Sequence, residues 1–216
     1  MNEQNQSLEA IQDIRRLMNR SSRFLSLSGL SGIAAGAWAL VGSWIAARRI
    51  GSYYDDYNRQ GYSLREFILL KQHILLLSFI VLALAMASAF FFTWRRARRQ
   101  GLPIWDRTSR QLTINMLIPL VAGGLLILAL LRYEDANLIA FIAPLSLIFY
   151  GLSLVNASKY TVNDIRYLGV LEILLGLINT QFLGYGLFFW AVGFGLLHIV
   201  YGFIMWWKNE RSDKEA

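Results

Sequence analysis

Ser22-Arg23-Phe24-Leu25-Ser26-Leu27-Ser28-Gly29-Leu30-Ser31-Gly32-Ile33-Ala34-Ala35-Gly36 opens a segment that carries no charge between Arg23 and Arg48. The run from Phe24 to Ala47 exceeds the about 20 helical residues needed to cross a bilayer core. Small residues form rows along it: Ser28, Gly32 and Gly36 at four-residue steps, with Ala35, Ala39 and Ser43 beside them. A ridge of this kind lets a second helix backbone approach closely. The segment therefore reads as a membrane span and as the packing seam for the others.

Working outward, five more apolar runs follow, giving spans at about 24–47, 67–94, 112–131, 138–157, 167–182 and 185–207. The chain is 56% hydrophobic, with a mean hydropathy of +0.41, too apolar for an ordinary soluble domain. Lipid offers no hydrogen-bond partner to the backbone, so spans must be helices or closed barrels. Continuous apolar runs rather than ten-residue alternation select helices. The expected fold is all-α, a polytopic membrane protein with six transmembrane helices. Its expected parts are a cytoplasmic segment 1–22, a membrane domain 23–207 and a cytoplasmic tail 208–216.

The net charge of +7 is arranged by side. With the N-terminus in the cytoplasm, the inner segments hold Arg15, Arg16, Arg20 and Arg23, six arginines from Arg95 to Arg110, Lys159 and Arg166, and Lys208, Arg211 and Lys214. That places 15 of the 21 basic residues inside, the bias that sets orientation, with both termini cytoplasmic. The expected location is a cell inner membrane, crossed several times. No nucleic-acid-binding motif accompanies the charge, so no nucleic acid is expected as a partner.

Residues Gln6 to Arg20 place Leu8, Ile11 and Met18 at helical spacing with arginines at the end, an amphipathic interfacial helix. Arg95, Arg96, Arg98 and Arg99 follow Trp94 directly. They read as a topology anchor that attracts anionic lipid on the cytoplasmic face. Between spans one and two, Ile50–Arg65 reads as an outer loop carrying Tyr53, Tyr54, Asp55 and Asp56 between Gly51 and Gly61. Ser63 and Glu66 fit a capping box that opens the next helix.

Two echoes point to a repeat. Ser21-Ser22-Arg23-Phe24-Leu25-Ser26-Leu27 resembles Thr108-Ser109-Arg110-Gln111-Leu112-Thr113-Ile114, a register in which Gly36 meets Gly123. Ile148-Phe149-Tyr150-Gly151-Leu152 in span four resembles Ile199-Val200-Tyr201-Gly202-Phe203 in span six. The expected plan is three helical hairpins: one with two, three with four, five with six.

Leu168-Gly169-Val170-Leu171-Glu172-Ile173-Leu174-Leu175-Gly176-Leu177-Ile178, followed by Gly186 to Met205 with Tyr201-Gly202, resembles the repeat unit of HdeD-type acid-resistance membrane proteins. The likeness covers mainly the last 40 residues and implies a small bacterial six-span protein built of hairpins. The Ser-Arg-Phe-Leu-Ser-Leu-Ser-Gly-Leu-Ser-Gly-Ile opening is also similar to an uncharacterised family of bacterial inner-membrane proteins. Neither likeness carries a catalytic residue onto this chain.

Glu172 is the one acidic residue well inside a span. Ionisable groups there are costly and face a bundle interior or a water-filled cavity. If spans five and six are antiparallel neighbours, Glu172, His198 and Tyr201 meet at similar depth, as a proton relay or as a structural clasp between helices. Asn115, Ser146, Ser153, Asn156, Asn179 and Thr180 are expected to bond mostly across helices. Pro119 and Pro144 are expected to kink spans three and four.

The chain has two histidines and no cysteine, and no His-Glu-x-x-His or Gly-Lys-Ser phosphate loop. No enzyme, cofactor or metal is expected from it. The leading expectation is a noncatalytic protein acting through helix packing, as a homo-oligomer or by docking a cytoplasmic protein, in envelope stress. The alternative is a small transporter or proton-linked channel centred on Glu172 and His198.

Overall fold

The computed structural model describes residues 28–61, 63–101, 103, 105–133, 136–162 and 164–209. The expected helix at 6–20 and the tail from residue 210 lie outside the described residues, as do Arg23, Tyr62 and Asn163. Among the described residues all regular structure is helical. In chain order the helices are α1 (Gly29–Gln60), α2 (Leu64–Arg99), α3 (Arg107–Leu130), α4 (Ala136–Ala140), α5 (Ile142–Ala157) and α6 (Asp164–Asn179). A short 3₁₀ turn, Leu183–Tyr185, then leads to α7 (Gly186–Trp190), a π-helical segment (Ala191–Leu197) and α8 (His198–Asn209). Among the described residues five helical stretches are long and apolar enough to cross a membrane: α1, α2, α3, Leu138–Ala157 and Leu183–Lys208. At 16 residues, α6 is about 24 Å long and shorter than each of those five stretches.

Three boundaries differ from the sequence reading. Ile50–Gln60 is not a loop; α1 continues through it. Helical spacing explains this, because the Tyr53 and Tyr57 rings lie 6.4 Å apart along one face and Ser52 Oγ donates back to Arg48 O at 3.1 Å. The helix stops only at Gly61, whose φ of 87° suits a residue without Cβ. Ser63 then caps α2, its Oγ accepting the Glu66 N–H at 3.4 Å. Span four breaks at Phe141, between α4 and α5. Pro144 has no N–H to offer the carbonyl four residues back, so the ladder cannot continue there. The chain between Gly186 and Asn209 is not one regular α-helix, because the π segment interrupts it.

Neighbouring helices run antiparallel, and glycines set their separation. A Cβ added at Gly29 would lie 2.4 Å from Gly202 O, one at Gly32 3.1 Å from Gly202 Cα, and one at Gly36 2.6 Å from Gly195 O. Rising numbers on α1 thus meet falling numbers on the last span. Gly151 on α5 meets Gly169 in the same way, with Cβ-to-carbonyl separations of 2.5 and 2.7 Å in the two directions. Gly176 lies against Pro144 and Ile148. Side chains at these positions would push backbones apart.

The pairs α1 with α2 and α3 with α5 are packed neighbours, as hairpins require. The third pair is looser. The most extensive packing of α6 is against α5, and the last span packs mainly on α1. Polar cross-links are fewer than expected. Ser153 Oγ donates to Met116 O at 2.9 Å and Asn156 Nδ2 to Asn115 O at 3.2 Å, joining α5 to α3. Ser146, Asn115 and Thr180 instead bond carbonyls of their own helix, three or four residues back. That local bond is open to any short polar side chain on a helix and needs no partner helix.

In α2 and α3 only 6% of the most apolar window is buried. Asp106 caps α3 reciprocally with Ser109: Oδ1 accepts the Ser109 N–H at 2.6 Å, and the Asp106 N–H donates to Ser109 Oγ at 2.7 Å.

Candidate functional site

The polar groups collect where α5, α6 and the last span converge. On α6 the buried positions are Ile165, Leu168, Gly169, Glu172, Gly176 and Asn179, a stripe of helical period. Glycines bring this stripe close to α5 and leave Glu172 in the interior, with no exposed surface. Across from it stands Gly193 of the π segment, whose missing side chain is required. A Cβ there would sit 2.6 Å from Glu172 Oε2 and 2.5 Å from Leu147 Cδ2. The carboxyl is therefore held close against Gly193 and Leu147.

His198 is the first residue of α8, directly after the π segment, and is buried. Its Nδ1 lies 3.0 Å from Gly193 O and 3.4 Å from Glu172 Oε1. Its Nε2 lies 2.7 Å from Tyr150 Oη. These partners assign the ring. A bare Nδ1 would set its lone pair against a carbonyl oxygen, so Nδ1 carries the proton and donates to Gly193 O. In the neutral ring Nε2 is then an acceptor, and Tyr150 O–H donates to it. The order is carboxyl, imidazole, phenol: Glu172, His198, Tyr150. Phe194 completes an aromatic wall, with its ring centroid 5.0 Å from Tyr150 and 6.0 Å from His198.

A π-helical turn widens the ring of backbone hydrogen bonds by one residue and is found mostly at functional positions. Here it comes with two glycines. Gly193 clears space for the carboxyl and presents its carbonyl to His198, while Gly195 rests against Leu40 of α1, 2.4 Å from an added Cβ. The widened turn thus connects the polar cluster to the α1 seam.

Among the described residues neither Glu172 oxygen has a hydrogen-bond donor, and His198 Nδ1 approaches Oε1 to 3.4 Å. Asn179, two turns along the same face of α6, also buries both amide atoms unbonded.

Of the residues named from the sequence, Glu172 and His198 come together. Tyr201 does not join them. It is three residues beyond His198, one turn toward Lys208, and packs on Leu154, Ile165 and Leu168 with its hydroxyl buried and unbonded. Tyr150 takes the expected place because α5, not α8 alone, faces the imidazole. The Tyr150-Gly151 echo of Tyr201-Gly202 marked both tyrosines as equivalent, and no sequence signal separated them.

The other named groups lie apart. Ser28, Gly36, Ala39 and Ser43 are buried in the bundle, whereas Gly32 and Ala35 are half-buried. Tyr53, Tyr54, Asp55 and Asp56 form the far end of α1, not a loop, and Tyr53 lies 6.5 Å from the Phe67 ring. Arg95, Arg96, Arg98 and Arg99 occupy the last turns of α2, with Arg98 stacked 5.5 Å over Trp94. Among the described residues no three His, Cys, Asp or Glu side chains are grouped to hold a metal. No protein family, curated protein or solved structure matches this chain.

Proposed function

We propose that the chain is a noncatalytic six-span protein of a bacterial inner membrane, with both termini cytoplasmic, and that its activity is proton-linked. The observation that carries this reading is the Glu172–His198–Tyr150 series, buried where three apolar helices meet. A carboxyl inside a membrane bundle costs several kcal/mol unless it is paired, and such residues mark proton and ion pathways. The imidazole accepts from a hydroxyl at one nitrogen and holds the other 3.4 Å from the carboxyl, so it can take up an extra proton beside a counter-charge. The resemblance of the last hairpin to acid-resistance membrane proteins agrees with such a role.

The test is flux in proteoliposomes. Wild-type protein is expected to pass protons, alone or with a solute, at a rate that rises with the pH gradient. Glu172→Gln is expected to abolish that rise while the protein stays folded. Equal flux in both would remove the proposal.

A second reading is favoured by α2 and α3, which leave their apolar lengths uncovered by the rest of the chain. In it the protein acts by packing against copies of itself or a partner, in an envelope-stress setting, with the arginines at the end of α2 on anionic lipid. A strictly monomeric particle in lipid nanodiscs that captures no partner would count against it.

A further inference from the structure

Glu172, Asn179 and Tyr201 each bury side-chain polar atoms that no group of the described residues bonds. They are not scattered. Asn179 and Glu172 share one face of α6, seven residues and about 10 Å apart along the axis. Tyr201 stands one turn from His198 on the other side of the cluster, against Ile165 and Leu168 of the same helix. Beyond Tyr201, Asp164 and Lys208 approach to 3.9 Å and close that end. From Asp164 to Asn179 the line covers about 22 Å, most of a hydrocarbon core of about 30 Å.

Buried polar atoms are nearly always bonded, by protein or by ordered water. A buried carboxyl, amide or phenol can each bond an ordered water, and waters bonded to one another can link them, whereas apolar cavities stay dry. We propose that a file of ordered water runs along the buried face of α6, from Asn179 past Glu172 to Tyr201, and connects the Glu172–His198–Tyr150 series to both ends of the bundle. This rests on the proton-linked reading above and names its route. Through the file, Tyr150 Oη gives its proton to His198 Nε2 and takes another from a protonated water, leaving an imidazolium beside the Glu172 carboxylate. The reverse steps return the proton to water and restore the neutral ring.

Among the described residues, the ionisable groups placed along this line are Glu172, Tyr150 from α5, His198 and Tyr201 from α8, and Asp164 with Lys208 at the end. The face that α1 turns to the last span is built on Gly29, Gly32 and Gly36 and contributes none.

The test uses full-length protein in lipid bilayers and infrared spectroscopy on transfer to D2O. The imidazole N–H signal of His198 is identified by its loss in His198→Gln. With the file present, that signal shifts within minutes in the wild type. Asn179→Leu and Tyr201→Phe each slow the shift by about tenfold or more, corresponding to roughly 1.4 kcal/mol on the opening that admits solvent. Tyr201→Phe keeps the ring and its packing, so it remains informative if Asn179→Leu fails to fold. A wild-type signal protected for hours, or rates unchanged in both variants, overturns the file. Fast exchange without flux sinks the proton-linked function and leaves the file standing. Flux with a protected signal does the opposite.

Discussion

The two contacts made by α6 differ in kind. Against α5 it packs backbone to backbone, Gly151 on Gly169 and Gly176 on Pro144 and Ile148. Against the last span it meets side chains, chiefly Glu172 facing His198 and Gly193. The first contact leaves no room for a Cβ. The second contains unbonded polar atoms and a helix that has given up regular α geometry. Close glycine packing on one side fixes where the carboxyl sits, and the π segment on the other side adapts to it. A rigid seam and a deformable one thus share a single helix.

This comparison breaks most severely at the seam. Gly151→Leu places a side chain where a Cβ alone lies 2.5 Å from Gly169 O, so α5 and α6 must separate. The expected loss is about 3 kcal/mol or more, the upper range for overpacking, read as a lowered unfolding midpoint in detergent. Tyr150→Phe should cost less. It removes the 2.7 Å bond to His198 and leaves Nε2 without a partner, for an expected loss of about 1 to 3 kcal/mol.

Glu172→Leu is expected to separate stability from function. Removing one partner of a buried pair destabilises when it leaves the other charged, but here the neutral His198 ring keeps its bonds to Gly193 O and Tyr150. The midpoint should hold or rise while flux disappears; a large fall would instead make Glu172 a structural clasp. The smallest effect is expected at Gly124, around which an added Cβ meets nothing within 4 Å. Gly124→Ala should change stability by less than about 1 kcal/mol and favour the helix. A collapse there would reveal a contact made by another copy of the chain.

How much of this was legible in the sequence depends on range. Apolar length and continuity announced the long helices, and small residues at four-residue steps announced the face that α1 buries. Glu172 and His198 were legible because charge inside a span is rare. Tyr150 was not, since which helix faces an imidazole depends on the packing of spans far apart in the chain. The end of α1 was read as a loop because polarity was taken for irregularity, although a helix leaving a membrane becomes polar without ending. The π segment left only Gly193 and Gly195 as a trace, and two glycines in an apolar run read equally well as a packing ridge.

The order of groups in the polar series is open to one direct measurement. The chain contains two histidines, His73 and His198, so a His73→Gln protein labelled with ¹⁵N-histidine reports on His198 alone. In lipid at neutral pH, NMR should find Nδ1 protonated and Nε2 accepting a hydrogen bond, with Nε2 moving toward an unbonded shift in Tyr150→Phe. A proton on Nε2 with Nδ1 bare, unaltered by removing the Tyr150 hydroxyl, would contradict the series from carboxyl to imidazole to phenol.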